Sequence, residues 1–139
     1  MINKSILLGR VGKDPEVREF ENGGQVANFS LATTEPAFKT RDGKEIPERT
    51  EWHNITVRGG LVKVVQSYVI KGQQLYIEGK IKTRSYEHDG VKKYATEIMC
   101  DTLKMLGGKP ENQSKQENQT KNNSPDPEQK NEPKDDFPF

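Results

Sequence analysis

The sequence predicts a small all-β domain that contains one α-helix and is followed by a disordered C-terminal tail. Short apolar segments separated by turn residues indicate strands, and a single segment has the apolar spacing of a helix. Beyond about residue 106, strongly apolar side chains are absent until Phe137 and Phe139. A chain of 139 residues is long enough for one such domain and a tail.

The first strands are short and are joined by turns. Ser5–Val11 is apolar, and further strands are predicted at Val17–Phe20 and Val26–Thr33. Asn22-Gly23-Gly24 indicates a tight hairpin between the last two, because glycine adopts the positive φ that such turns require. The polar stretch Thr34–Arg49 is expected to form a long loop or a loose hairpin.

The later strands follow the same pattern. Glu51–Arg58 and Gln74–Tyr86 are the next two, and Asp89-Gly90 turns the chain into Val91–Cys100. Thr102–Leu106 is predicted as the segment that closes the domain.

One segment between these strands is helical in its spacing. The apolar positions at i, i+3, i+4, i+7 and i+8 are Leu61, Val64, Val65, Tyr68 and Val69. Gly72 follows them and is expected to end the helix. Five strands with a helix between the third and the fourth predict a five-stranded Greek-key barrel of the OB type.

The tail is polar and of low complexity, so it cannot bury enough apolar surface to offset the entropy of ordering. Residues 1–106 hold 17 basic and 14 acidic side chains, whereas residues 107–139 hold 5 and 7. The predicted organisation is a folded domain over 1–106, a disordered linker over 107–134 and an acidic tip over 135–139. The tip combines two carboxylates with two aromatic rings, as Asp135, Asp136, Phe137, Pro138 and Phe139.

The strand at Gln74–Tyr86 separates into two faces, because side chains alternate along a strand. One face is apolar or small and is expected to face the core: Leu75, Ile77, Gly79, Ile81, Thr83 and Ser85. The other is a basic ladder with a tyrosine at each end: Tyr76, Glu78, Lys80, Lys82, Arg84 and Tyr86. The ladder is either a solvated outer surface or a binding surface.

The single tryptophan, Trp52, shares its predicted face with Asn54, Thr56 and Arg58, which is the polar side of its strand. The alternative is that a twist or bulge turns the ring inward, since tryptophan is usually buried to a large extent. Phe38 stands among basic residues in the Thr34–Arg49 stretch, either as a loop anchor or as a ring offered to a partner.

Exposed aromatic rings interleaved with Lys and Arg are typical of proteins that bind single-stranded nucleic acids. The rings stack on unpaired bases without reading sequence, and the cations follow the phosphates. Three other functions remain open on this pattern: an OB-fold binder of RNA, an adaptor that uses the barrel for protein contacts, and an enzyme.

Little in the sequence favours catalysis. His53, His88 and Cys100 are not at metal-ligand spacing, and neither a phosphate-binding glycine loop nor a nucleophile elbow is present. No cofactor is expected.

The single cysteine fits a reducing cytosol, and the N-terminal apolar stretch ends too soon, at Arg10, for a signal sequence or membrane span. We therefore expect a cytoplasmic protein.

The sequence resembles the bacterial single-stranded DNA-binding proteins through residues 1–108. The resemblance rests on LGRVGKDPEVR from Leu8, NGG with VAN from Asn22, TEWH from Thr50, YIEGKIKTR from Tyr76 and MLGG from Met105. It implies an OB fold, assembly as a homotetramer, and single-stranded DNA wrapped over the aromatic and basic faces. It also implies a bacterial protein associated with the nucleoid.

The resemblance further implies roles for individual residues. Trp52 and Tyr86 match base-stacking positions, Phe38 or its neighbour Ala37 matches an aromatic of the long loop, and Arg58 stands where some members stack a phenylalanine. Lys71 and Arg84 match basic contacts, and His53 matches a subunit-interface position. The tip resembles the family's acidic ending, which recruits replication, recombination and repair proteins; on the residues alone, an acidic terminus that only aids solubility remains the alternative.

Overall fold

The computed structural model describes residues 1–107, and the part of the chain that it describes contains eight strands and one helix. The strands are β1 (Ser5–Val11), β2 (Glu16–Glu19), β3 (Gln25–Glu35), β4 (Phe38–Lys39), β5 (Glu45–Ile46), β6 (Arg49–Arg58), β7 (Gln74–His88) and β8 (Val91–Leu106). The helix α1 (Leu61–Tyr68) lies between β6 and β7. The predicted linker beyond Gly107 and the predicted tip lie outside the described residues.

Five of the strands close into a barrel, as the order of elements predicts. The sheet runs β1-β7-β8-β6-β3, and β1 completes the ring by pairing with β3 at Arg10 and Val11. Neighbouring strands are antiparallel except β6 and β8, which pair in parallel at Ile55 and Ile98. The helix between the third and fourth barrel strands completes an OB-type architecture.

One segment settles an alternative that the sequence left open, and another differs from the sequence-based expectation. The polar stretch after β3 contains a small hairpin, in which Phe38 of β4 pairs with Ile46 of β5, so the hairpin alternative holds there. The two segments predicted at the end of the domain are one strand, β8, because pairing with β7 continues on both sides of Asp101. Asp101 is the extra residue of a bulge.

The core fills the barrel with alternate side chains of its strands. Leu31, Ile55, Leu75 and Ile77 are among the largest fully buried residues. Cys100 is also buried, and this burial raises the pKa of its thiol to about 11, so the thiol is protonated at neutral pH.

The helix buries a face that is centred about one residue away from the predicted one. Val62, Val65 and Val69 are buried, whereas Tyr68, which we expected on the inner face, is 63% exposed. The periodicity therefore located the helix but placed the centre of its apolar face wrongly, and the helix ends at Tyr68, before Gly72, which was expected to end it. Val62, and not Tyr68, belongs to the buried core cluster.

The β7–β8 hairpin extends beyond the barrel. Burial alternates along β7 as far as Gly79, but every residue from Lys80 to His88 is exposed. Ile81, Thr83 and Ser85 were predicted to face the core, and the structure corrects this because no opposing layer within residues 1–107 covers them.

Closure of the barrel brings backbones unusually close at Gly9. A Cβ atom at this position would lie 2.3 Å from the carbonyl oxygen of Ala32. We expect Gly9→Ala to lower the free energy of unfolding by about 1–3 kcal/mol, because the cross-strand contact must open. Urea denaturation measures this.

Gly60→Ala is the matched control. Gly60 has a φ of −61°, and no heavy atom of its surroundings lies within 4 Å of the place that an added Cβ atom would take. The effect of this substitution should therefore stay within about 0.5 kcal/mol. Equal urea midpoints for the two variants would contradict the role given to Gly9.

Candidate nucleic-acid interface

The outer face of β6 presents Trp52 to solvent. The side chain is 60% exposed, so the ring is not turned into the core. It packs against the end of β1 instead: a Cβ atom on Gly12 would lie 2.3 Å from Cζ3 of Trp52 and 2.7 Å from Oγ of Ser30. The absence of a side chain at Gly12 therefore provides the place where the indole lies.

An open groove lies next to Trp52, between the barrel wall and the β7–β8 hairpin, and Ser30 is one of its lining residues. Its basic side chains are Lys13, Arg18 and Arg84, and its acidic side chains are Glu16 and Glu97. Polar groups of β3 and β6, at Asn28, Ser30, Asn54 and Thr56, line it as well. The groove thus offers hydrogen-bonding groups of both kinds and charges of both signs.

A polar cluster on the groove wall ties the barrel to the hairpin. Thr56 is only 3% exposed, and its Oγ1 lies 2.9 Å from Oδ1 of Asn28 and in hydrogen-bond contact with Oε2 of Glu97. A hydroxyl has only one hydrogen to donate, and here it goes to the Glu97 carboxylate. With the Asn28 amide turned by 180°, its NH₂ group donates to the Thr56 hydroxyl, so both contacts are hydrogen bonds. Arg84 Nε donates to Oε1 of Glu97 at 3.0 Å.

The hairpin places an aromatic ring next to this cluster. Tyr86 is 41% exposed, and the Arg84 guanidinium carbon lies 5.7 Å from its ring centroid. Lys82 is exposed on the same face of the strand. Tyr94 shares the opposite face with Ser85 and is 67% exposed, with Lys92 at 5.7 Å from its ring centroid.

Phe38 occupies a separate position, on the β4–β5 hairpin. Its side chain is 59% exposed and, with Lys39, lines a shallow depression. Arg58 is exposed at the C-terminal end of β6, on the same side of the strand as Trp52. The structure therefore distributes the predicted aromatic residues over β6 and two hairpins.

Tyr76 is held in an ionic cluster outside the groove, on the face shared by β1 and β7. Its hydroxyl donates to Glu78 at 2.5 Å, and the Lys4 ammonium lies 2.9 Å from the same carboxylate. The hydrogen bonds from Tyr76 and Lys4 lower the pKa of Glu78, and the hydrogen bond to Glu78 raises the pKa values of Tyr76 and Lys4. The hydrogen of the Tyr76 hydroxyl is thus donated to Glu78.

Three further predicted residues also lie outside the groove. Lys80 lines a depression with the N-terminal residues, and Lys71 lines another with Arg10. The Lys71 backbone N–H donates to Asp14 at 2.8 Å. His53 is half-buried, and its Nε2 lies 2.8 Å from Oγ1 of Thr33.

Sequence reasoning missed several residues that line the groove. Lys13 and Arg18 belong to the stretch that carried the family resemblance, but no role was derived for them. Asn28 belongs to another of the stretches that carried the resemblance, and no role was derived for it either. Glu97 gave no signal. These two residues meet at Thr56 because β6 pairs with β3 on one side and with β8 on the other.

Residues 1–107 hold neither a metal-binding cluster nor a membrane-spanning helix. No group of three or more His, Cys, Asp or Glu side chains is placed there to hold a metal ion. The helix of this region is too short to cross a membrane.

Comparison with known proteins gives a consistent result. The model of the single-strand binding protein family matches residues 2–106. The single-stranded DNA-binding protein of Bacteroides thetaiotaomicron is 50% identical over 109 residues, covering 78% of this chain and 68% of that protein. The protein of the same name from Neisseria meningitidis serogroup A is 47% identical over 112 residues, covering 80% and 63%. The chain therefore matches about two thirds of the length of these relatives.

Solved structures agree in fold. The Plasmodium falciparum SSB complex with ssDNA superposes with a TM-score of 0.70 at 35% identity, covering 77% of this chain and 96% of that chain. A deletion mutant of the single-stranded DNA binding protein from Thermus aquaticus gives a TM-score of 0.66 at 26% identity, covering 77% and 51%.

The contact between Gly12 and Trp52 gives a direct test of the site geometry. Gly12→Ala should displace the indole, because the added methyl group overlaps its present position. The emission spectrum and the acrylamide quenching constant of the free protein should both change, and Trp52 is the only tryptophan that contributes. Gly60→Ala is the control and should match the wild type. An unchanged spectrum and quenching constant for Gly12→Ala would show that the indole does not lie on Gly12.

Proposed function

Because the chain belongs to the single-strand binding protein family, we propose that it binds single-stranded DNA without sequence preference, coats and protects it, and catalyses no reaction. The observation that carries this proposal is the exposed Trp52 ring on the outer face of the barrel, beside a groove with basic side chains. The Plasmodium falciparum neighbour, whose structure is a complex with ssDNA, supports it.

The proposed mechanism divides the binding energy between rings and cations. Trp52, Phe38 and Tyr86 stack on bases, each contact contributing about 1–3 kcal/mol, and the basic side chains follow the phosphates and release counterions. The proposed DNA-binding residues are Phe38, Trp52, Arg58, Lys71, Tyr76, Lys80, Lys82, Arg84 and Tyr86. Because stacking uses the flat face that every base has, the mechanism does not read sequence.

The same mechanism selects single strands over duplexes. In a duplex, each base already stacks on its neighbours, so an exposed ring gains no contact without unstacking them. Trp52 and Phe38 lie on different elements, β6 and the β4–β5 hairpin, so a flexible strand can reach both.

The proposed assembly is a homotetramer in the bacterial cytoplasm, on the nucleoid. The outer face of β1 exposes Ile6 and Leu8, at 58% and 52%, which is compatible with burial between subunits. His53 is proposed at a subunit interface.

The proposed role in replication, recombination and repair depends on the C-terminal segment. In this proposal residues 1–106 bind DNA, residues 107–134 are a linker, and residues 135–139 recruit partner enzymes. Phe137 and Phe139 would fill an apolar pocket of the partner, while Asp135, Asp136 and the terminal carboxylate meet a basic rim. A tethered tip raises the local concentration of its partner near the DNA.

Titration with oligo(dT) tests DNA binding directly. Trp52 fluorescence should be quenched strongly, because the indole stacks on bases, and the affinity should fall as the salt concentration rises. The measurement is made at low and high salt on protein of known mass in solution. An absence of quenching and of binding would contradict the proposal, and a preference for oligo(U) would favour an RNA-binding function.

Substitution of Trp52 tests whether this ring stacks on bases, as distinct from being merely exposed. Trp52→Ala should weaken binding of a labelled oligo(dT) by about 1–3 kcal/mol, measured by fluorescence anisotropy. Tyr68→Ala is the control, because Tyr68 is equally exposed, at 63%, but lies on α1 and not among the proposed DNA-binding residues. Equal losses in both variants would contradict the assigned role of Trp52.

Deletion of Asp135–Phe139 tests the proposed tip. The affinity for oligo(dT) should stay equal or rise, since the deletion removes carboxylates that compete with phosphates for basic residues. Capture of replication and repair proteins from a bacterial lysate should be abolished. A variant with Phe137 and Phe139 changed to Ala keeps the charges and serves as the control. Weaker DNA binding after deletion would contradict the competition.

A further inference from the structure

Arg84 differs from the other basic residues of the groove in the carboxylate that it contacts. Its Nε lies 3.0 Å from Oε1 of Glu97, whose side chain is 15% exposed, whereas that of Arg84 is 62% exposed. Arg18 pairs with Glu16 at 3.4 Å, but there both side chains are at least 60% exposed. Lys13 forms no ion pair with any residue of the described part of the chain.

The low exposure of Glu97 makes its pairing persistent. A carboxylate that is mostly removed from water is destabilised when its cation leaves, because water cannot fully replace the lost hydrogen bond. The hydrogen bond with Thr56 occupies only Oε2, so Oε1 depends on Arg84. A phosphate that draws Arg84 away must offset this cost, whereas a phosphate that approaches Lys13 has no such cost to offset.

We propose that Glu97 keeps its ion pair with Arg84 when the groove is occupied, so that Arg84 orients the bound strand without neutralising a phosphate. This inference rests on the proposed binding of single-stranded DNA. Glu97 is then a positioning residue: it acts on the strand through Arg84. Arg84 is then the exception among the proposed basic residues: it contacts the strand but follows no phosphate, so it does not contribute to the salt dependence of binding.

The geometry leaves Arg84 useful groups for this role. Glu97 occupies Nε, so the two terminal nitrogens of the guanidinium still have N–H groups to donate to a base or a sugar. The guanidinium carbon lies 5.7 Å from the centroid of Tyr86, and the pair forms a surface for stacking. A fixed guanidinium loses little conformational entropy on binding, unlike a free lysine.

Salt dependence distinguishes a neutralised cation from a free one. For single strands, each phosphate contact adds about 0.7 to the slope of log affinity against log salt concentration. One contact therefore changes the ratio of affinities at about 50 mM and about 200 mM salt by about 2.6-fold. The experiment measures this slope with oligo(dT) for the wild type, Glu97→Gln and the double variant Arg84→Gln/Glu97→Gln, on the full-length chain.

The two variants differ by one free cation, and the salt-dependence slope of the wild type should equal that of one of them. Glu97→Gln keeps the hydrogen-bonding shape but releases the charge of Arg84, so its slope should be steeper by about 0.7 than that of the double variant. The inference expects the wild type to have the slope of the double variant. A wild-type slope equal to that of Glu97→Gln would overturn it, because Arg84 would then leave Glu97 for a phosphate. Equal slopes for both variants would also overturn it.

Lys13→Gln is the matched control, because it removes one unpaired cation from the same groove. The slope of log affinity against log salt concentration should become shallower by about 0.7 than that of the wild type. Circular dichroism of each variant verifies that the barrel is folded. If the wild type does not bind oligo(dT) at any salt concentration, the proposed function itself fails, and this outcome is distinct from a binding protein with the wrong order of slopes.

Discussion

The architecture depends on the pairing of β1 with two different strands. β1 follows β7 from Ser5 to Arg10 and then pairs with β3 at Arg10 and Val11, which converts an open sheet into a barrel. The backbones of β1 and β3 can approach closely because Gly9 has no side chain; a Cβ atom there would meet the carbonyl of Ala32. Closure also brings Gly12, at the end of β1, against Trp52 of β6. The position of the indole is therefore a consequence of how the barrel closes.

The groove depends on a different pairing, that of β6 with a strand on each side. Its polar wall joins Asn28 of β3, Thr56 of β6 and Glu97 of β8, and these three strands are consecutive neighbours in the sheet. Thr56 is almost fully buried although it belongs to the outer face, because the base of the β7–β8 hairpin covers it. The contact between Thr56 and Glu97 therefore joins the barrel wall to the base of the hairpin. The aromatic and basic residues of the hairpin then lie beside the groove.

Much of this was predictable, and the exceptions have a common cause. Alternation of apolar and polar residues identified the barrel strands and placed Trp52 outside, because alternation reports which side chains face the core. It does not report in which direction around a closed barrel an outward side chain points. Tyr76 and Arg84 belong to one ladder in the sequence, yet Tyr76 lies in the Lys4–Glu78 cluster while Arg84 lines the groove. Likewise, Ile81 continues the apolar pattern past the end of the barrel, where nothing in the described part of the chain opposes it.

The protruding β7–β8 hairpin has a consequence for the dynamics of the protein. A two-stranded ribbon without a packed face is marginally stable in water, so its outer part should open without unfolding of the barrel. Amide hydrogens from Ser85 to Tyr94, which are cross-strand partners in the outer part of the ribbon, would then exchange with solvent far sooner than those of Leu75 and Ile77, which lie in the core. A ligand held by this ribbon must first restrict its motion, which costs conformational entropy. The Thr83–Thr96 hydrogen bond and the Arg84–Glu97 pair, at the base of the ribbon, limit how far such opening spreads.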